Sequence, residues 1–447
     1  MKNDYLTRKK PWHALTIFAL PIILGNLFQQ TYTMADSAIV GRFVGEQALA
    51  AVGASFSLTN VFIFIAIGCG VGSGVVIGRY FGGKEFLRMK RAVYTALITF
   101  LSISILMGIF GLAFSHKIME LLNTPADVME MAVVYLDIYF IGLPFLFMYN
   151  ILSAMFNAIG KSRIPLVLLL FSSILNIGLD LLFIIKFDMG VSGAAWATLI
   201  AQGLSAILSV SIFMRVTHNL EAGKVKIYDK YELRNITQIA LPSILQQSTV
   251  SIGMMLVQSI VNSFGSQALA GFSAAMRIES ICVVPMLGIG TALASFTAQN
   301  IGAGQIGRVK EGYKVANQMV LISALLILVV LELFNYPIIA FFLGDAGTDV
   351  AYATGTGYLI FVGFFFAILG WKMAVDAILQ GSGDMKMFTI ANLANLSIRV
   401  IIPLFFAHKV GIQIVWYAIP IGWFANWLIS YCQYRTGKWK RIYVKTA

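Results

Sequence analysis

Cysteine and histidine are almost absent from this chain, with three and four copies in 447 residues. Cys69, Cys282 and Cys432 sit in separate apolar runs. They neither pair by pattern nor space like metal ligands. A disulfide scaffold, a zinc site and thiol–imidazole catalysis are therefore excluded, and no cofactor is expected. Charge is scarce too. Charged residues make up 12% of the chain and hydrophobic ones 59%, whereas a soluble domain is about 25% charged. With a mean hydropathy of +0.83, a soluble globular protein is excluded. Acid is the scarcer sign, 20 Asp and Glu against 32 Lys and Arg.

What is present is a series of about twelve apolar stretches long enough to span a bilayer, from 17–40 to 415–433. The first follows Arg8, Lys9 and Lys10, and no cleaved leader is expected. The net charge of +12 is not a nucleic-acid footprint, because it falls in alternate loops. Arg79, Lys84, Arg88, Lys90 and Arg91 fill one; Arg308, Lys310 and Lys314 fill another. The loops between are nearly free of base. This positive-inside pattern predicts a multi-pass plasma-membrane protein with both termini in the cytoplasm and the lipid bilayer as its surroundings.

The chain also repeats itself. Gly45 and the run Gln47–Ala50 recur as Gly265 and Gln267–Ala270. At the same offset, Gly68, Gly70, Gly82, Arg88 and Lys90 recur as Gly288, Gly290, Gly302, Arg308 and Lys310. Leu20-Pro21 opens the first helix of one half, and Leu241-Pro242 opens that of the other. An even number of spans per half makes the repeats parallel. The expected domains are residues 1–215 (six helices), a cytoplasmic linker at 216–236, and residues 237–447 (six helices). Gly82-Gly83 and Gly302-Ala303-Gly304 are expected to form matched tight turns.

Polar groups inside spans carry the functional information, since an ionised carboxylate in mid-helix costs about 2.5–3.5 kcal/mol. Asp36 on the first helix and Asp180 on the fifth are expected at similar depth. Asn176 shares a face with Asp180, and Thr198 lies on the sixth helix at a compatible height. Asn150, Ser153 and Asn157 share a face of the fourth. These residues predict one polar pocket in the first half. Its oxygens suit Na⁺, and a close, dry carboxyl pair equally suits a proton. The second half has Gln246, Gln247 and Gln258 on its first helix. Deeper in, it carries Asp376 near Lys372, together with Arg399, Arg277 and Glu279. Either a structural ion pair or a second coupling or substrate site follows from that set.

Taken together, the chain resembles the multidrug and toxic compound extrusion (MATE) family. The resemblance rests on the six-plus-six repeat, the two Leu-Pro openings and Asp36-Ser37-Ala38 before Gly41. It rests also on the GEQALAA block, NIGLD at 176–180 and QGSGDMK at 380–386. It implies an all-α membrane protein: two parallel six-helix repeats forming a V-shaped, two-lobe transporter, which is expected to be a monomer. It implies export of amphipathic, often cationic small molecules by alternating access, driven by inward Na⁺ or H⁺. By resemblance, the cation site matches Asp36, Asn176, Asp180 and Thr198, with Asn150 nearby, and Pro21 matches a hinge proline. A second-lobe site seen in part of the family keeps only its acid here, Asp376, with Arg399 and Arg277 as further candidates. An exporter of anionic lipid-linked cargo is the alternative, with Arg277, Lys372 and Arg399 lining its cavity.

Overall fold

In lipid, backbone polar groups must be satisfied within their own segment, so apolar runs fold as helices. The computed structural model describes residues 5–218, 220, 225–344 and 347–441. Part of the expected linker, 219 and 221–224, lies outside the described residues. The first half comprises α1 (Tyr5–Arg8), α2 (Pro11–Phe43), α3 (Glu46–Gly82), α4 (Phe86–Leu121), α5 (Met129–Ala158), α6 (Arg163–Asp180) and α7 (Gly190–His218). The second comprises α8 (Lys230–Asn262), α9 (Ser266–Cys282), α10 (Val284–Gly302), α11 (Ile306–Leu343), α12 (Asp349–Gly363), α13 (Phe366–Ser382), α14 (Met385–Val410) and α15 (Gln413–Thr436). The protein is an all-α, multi-spanning membrane protein. Among the described residues ten helices are long and apolar enough to cross a bilayer, or eleven if α12 and α13, bent by 54°, form one span. The twelfth expected stretch falls on α15, which carries Gln413, Asn426, Gln433 and Arg435 within its 24 residues.

The repeat is visible in the elements. Glu46 and Ser266, Phe86 and Ile306, and Met129 and Asp349 open corresponding helices at the offset of the sequence repeat. Gly45 (φ 113°) and Gly265 (φ 94°) both precede a helix in a backbone conformation that is costly for any residue with a Cβ. The expected matched turns form, with equivalent backbone hydrogen bonds in both copies. Gly304 adopts φ 73°, but its counterpart in the first copy is Lys84 (φ 60°) rather than Gly82 or Gly83. One long helix, α3, is replaced in the second copy by α9 and α10, where Pro285 sits in the first turn of α10. Proline lacks the N–H that a continuous helix needs there.

Two compact units emerge, and their boundaries differ from those read from the repeat. Leu24–Ile244 forms one unit; residues up to Ile23 join Leu245 onward in the other. Both changes fall shortly after a helical proline, Pro21 in α2 and Pro242 in α8. The leading half of each repeat's first helix therefore packs with the other repeat.

Close glycine contacts allow this. On α3, Gly68 and Gly72 face α8, where a Cβ on Gly72 would lie 2.7 Å from Ala240 Cβ and from the Ile236 carbonyl. Gly70 and Gly74 face α5, where a Cβ would lie 3.0 Å from the Asn150 carbonyl and 3.2 Å from that of Ala154. Two interleaved small-residue pairs thus bring three helix backbones together. In the other unit, Gly288 approaches Ile23 of α2. The repeat arginines secure the same leading segments. Arg308 donates to the carbonyls of Leu6 (3.0 Å) and Lys9 (2.7 Å), and Asn300 donates to Leu6 (3.1 Å). Arg88 meets Glu232 at 3.6 Å, and Tyr80 donates to Glu232 at 2.7 Å.

Gly72→Val should lower stability by about 1–3 kcal/mol through overpacking against backbone. Gly53→Val, whose Cβ would meet nothing within 4 Å, should lie within about 1 kcal/mol of wild type. Thermal unfolding of the purified proteins in detergent checks the contrast.

Candidate functional site

Four expected residues meet in the unit Leu24–Ile244. Asn176 and Asp180 are one turn apart on α6 and are 1% and 0% exposed. The Asn176 amide nitrogen faces Asp180 Oδ2 at 3.0 Å and Tyr32 Oη at 2.7 Å. Its oxygen accepts from the backbone N–H of Thr198 at 3.1 Å and from the Thr198 hydroxyl at 3.3 Å. Tyr32 also lies close to the Thr198 hydroxyl. Helices α2, α6 and α7 are thereby tied together at one level.

The two carboxyl groups are within hydrogen-bonding reach of each other. Asp36 Oδ1 and Asp180 Oδ1 are buried and receive no hydrogen bond from a donor among the described residues. Two buried carboxyl groups this close, each with an oxygen that no donor reaches, favour a positive charge between them, either a proton or a metal cation. The available ligands are all hard oxygens, which suit Na⁺ as a transported ion. Outside the pair, Val40, Ala48, Ile184, Val191 and Ala194 form an apolar cluster, with Tyr135 packed against it. Val40 is one turn after Asp36 and Ile184 one turn after Asp180, so the cluster restricts water at that end. Immediately after Asp180, residues Leu181–Lys186 form a π-helical turn, a distortion frequent at functional sites.

Tyr32 and Tyr135 were missed in the sequence. Tyr32 carried a usable signal, since it lies four residues before Asp36 on the same face. Tyr135 lies near both carboxyl groups from α5, and no spacing within α5 reveals that. The expected contribution of Asn150, Ser153 and Asn157 to this pocket is not what the structure places there. Asn150 donates to the Leu146 carbonyl of its own helix at 2.9 Å, and Ser153 bonds Tyr149. The buried Asn157 Oδ1 has no partner among the described residues. Asn150 lies fifteen residues beyond Tyr135 along α5, about 22 Å at helical rise, which puts all three at another depth. Pro21 sits inside the continuous helix α2.

The second-half candidates separate. Lys372 and Asp376, one turn apart on α13, form an ion pair at 3.1 Å and are 6% and 4% exposed. Asn392 accepts from Lys372 (3.2 Å) and from Asn426 (3.1 Å), and Ser430 donates to Asp376 Oδ1 at 2.7 Å. Arg399 is buried on α14 and its Nε has no hydrogen-bond partner among the described residues. Glu279 is buried and accepts from Tyr358 at 2.5 Å. Arg277 is exposed. Two residues apart on a helix point to nearly opposite faces, so Arg277 joins neither Glu279 nor Asp376.

The MatE family model matches residues 21–182 and 242–404, one stretch in each half. The chain belongs to the MATE family. As a member it is a transporter and not an enzyme. It is 29% identical over 444 residues to the probable multidrug resistance protein YpnP of Bacillus subtilis, covering 99% of each chain. It is 25% identical over 414 residues to the multidrug export protein MepA of Staphylococcus aureus, covering 91% of this chain and 90% of that one. Its fold matches the outward-facing structure of a multidrug resistance MATE family transporter with a TM-score of 0.91, at 24% identity and 99% coverage of both chains.

Removing one partner of the buried Lys372–Asp376 pair leaves the other charge uncompensated. Lys372→Met or Asp376→Asn alone should destabilise the protein by about 3–5 kcal/mol, and the double variant by clearly less than the sum. Unfolding midpoints of the three proteins in detergent measure this.

Proposed function

We propose that this chain is a cation-coupled multidrug exporter of the plasma membrane, working by alternating access with Na⁺ or H⁺ moving inward. The observation that carries the reading is the facing pair of donor-less carboxyl oxygens of Asp36 and Asp180. Asp180 is held in place by Asn176, itself bonded to Thr198 and Tyr32. A bound cation cancels the repulsion between the acids and lets α2 close on α6. When the cation leaves, the two like charges favour separation of these helices. The ion therefore has different affinities for two packings of the same helices, which is the condition for coupling. Pro21, which leaves the Ile17 carbonyl without its helical donor, is the proposed bend point in α2.

The relatives' description as multidrug proteins supports amphipathic small molecules as cargo. The alternating basic loops support a topology with both termini cytoplasmic, and the protein is proposed to act as a monomer. An exporter of anionic lipid-linked cargo would need several free cations together. Lys372 is neutralised by Asp376 and Arg277 lies on an exposed face, which favours the multidrug reading.

Asp36→Asn and Asp180→Asn should each abolish gradient-driven dye efflux from proteoliposomes while the protein remains folded and reconstitutes normally. Imposing Na⁺ and pH gradients separately on the wild type identifies the coupling ion. Undiminished efflux in both variants would remove the pair from the mechanism.

A further inference from the structure

The unit that contains the C-terminal repeat holds a second polar recess. Gln246, Thr249 and Gly253 face it from α8, and Asn392, Asn395 and Arg399 from α14. Each trio recurs at helical spacing, so each is a single stripe on its helix. On α15, Gly422 leaves the room that Asn395 and Arg399 occupy: a Cβ there would lie 3.0 Å from Arg399 Cγ.

The charges around the recess are unevenly satisfied. Lys372 is matched by Asp376 at 3.1 Å. Glu279 accepts from Tyr358 and reaches Arg399 only through space. Arg399 is 8% exposed and Asn395 is 7% exposed. Among the described residues, Arg399 Nε has no hydrogen-bond acceptor and Asn395 Oδ1 has no donor. A buried guanidinium that lines a recess and lacks an acceptor is best satisfied by an anionic oxygen or a halide. The Gln246 and Asn395 amides can turn their nitrogens toward the same guest. The recess has room for about one water-sized group, so it suits a single small anionic group and not a drug-sized ligand.

We propose that this recess is an anion-binding site. It takes one small anionic group, either the carboxylate of an organic molecule or a chloride ion, in charge-assisted hydrogen bonds from Arg399. If the chain exports amphipathic compounds as proposed above, its cargo then extends to compounds bearing an acidic group. Binding itself does not depend on that reading.

Isothermal titration of the purified full-length protein in detergent, at fixed pH, Na⁺ and ionic strength in sodium sulfate, tests the site with benzoate and with chloride. Saturable binding of either supports it. Benzoate alone marks an organic acid as the guest, and chloride alone marks the ion. Arg399→Gln should weaken binding by at least about tenfold, and Arg399→Lys should retain most of it. Gln246→Ala should weaken binding and Glu279→Gln should tighten it. That opposed pair decides the question if Arg399→Gln does not fold. Asp36→Asn protein should bind like wild type, so a failure of the coupling reading leaves this result standing. Saturable binding of neither probe, or equal affinities in wild type, Gln246→Ala and Glu279→Gln, overturns the proposal.

Discussion

Two carboxyl groups face each other in a part of the protein built to exclude water, and the rest of the first unit is arranged around that fact. Asp180 is fully buried, and Asp36 meets it from another helix. Neither can be left ionised beside the other without a positive charge between them. The Asn176 amide fixes Asp180 from one side and is itself fixed by Thr198 and Tyr32. The apolar cluster around Val40 and Ile184 packs one turn beyond the pair on both helices. A small ion or a proton therefore changes the energy of a helix–helix contact directly, without a relay.

The two halves share a duplicated scaffold and diverge in their buried charges. In the first copy two acids meet with no base among them. In the second, Lys372 stands against Asp376, and Glu279 and Arg399 lie near one another. The balanced Lys372–Asp376 pair can be permanent, whereas the two acids of the first copy must be completed from outside. The scaffold also crosses over. The leading halves of α2 and α8 pack with the opposite repeat, held by glycines and by Arg88 and Arg308, which the duplication placed at equivalent positions.

The duplication, the helical class and the members of the carboxyl site were legible because each leaves a local mark. An acid in an apolar run is conspicuous, and the spacing of Asn176 and Asp180 puts both on one face. Tyr32 has the same spacing to Asp36, but a tyrosine in an apolar helix does not stand out. Tyr135 was not legible, since its role depends on how α5 packs. Asn150, Ser153 and Asn157 were grouped correctly on one face; the missing quantity was depth along the helix. The alternating glycines at 68–74 announced close approach, yet nothing local names their partners. The crossover of α2 and α8 and the π turn after Asp180 arise from tertiary packing. The weaker twelfth span reflects the polar side chains of α15.

The proposed coupling turns on one positive charge being held between Asp36 and Asp180. Infrared difference spectroscopy of the carboxyl stretch, recorded on the reconstituted protein without and with Na⁺ at neutral pH, addresses it directly. The expected result is a protonated-carboxyl band in the absence of Na⁺ that is missing in Asp36→Asn. If Na⁺ is the ion that binds, the band disappears on its addition. A spectrum in which every carboxyl group is ionised without Na⁺, or a band that Asp36→Asn leaves untouched, would contradict it.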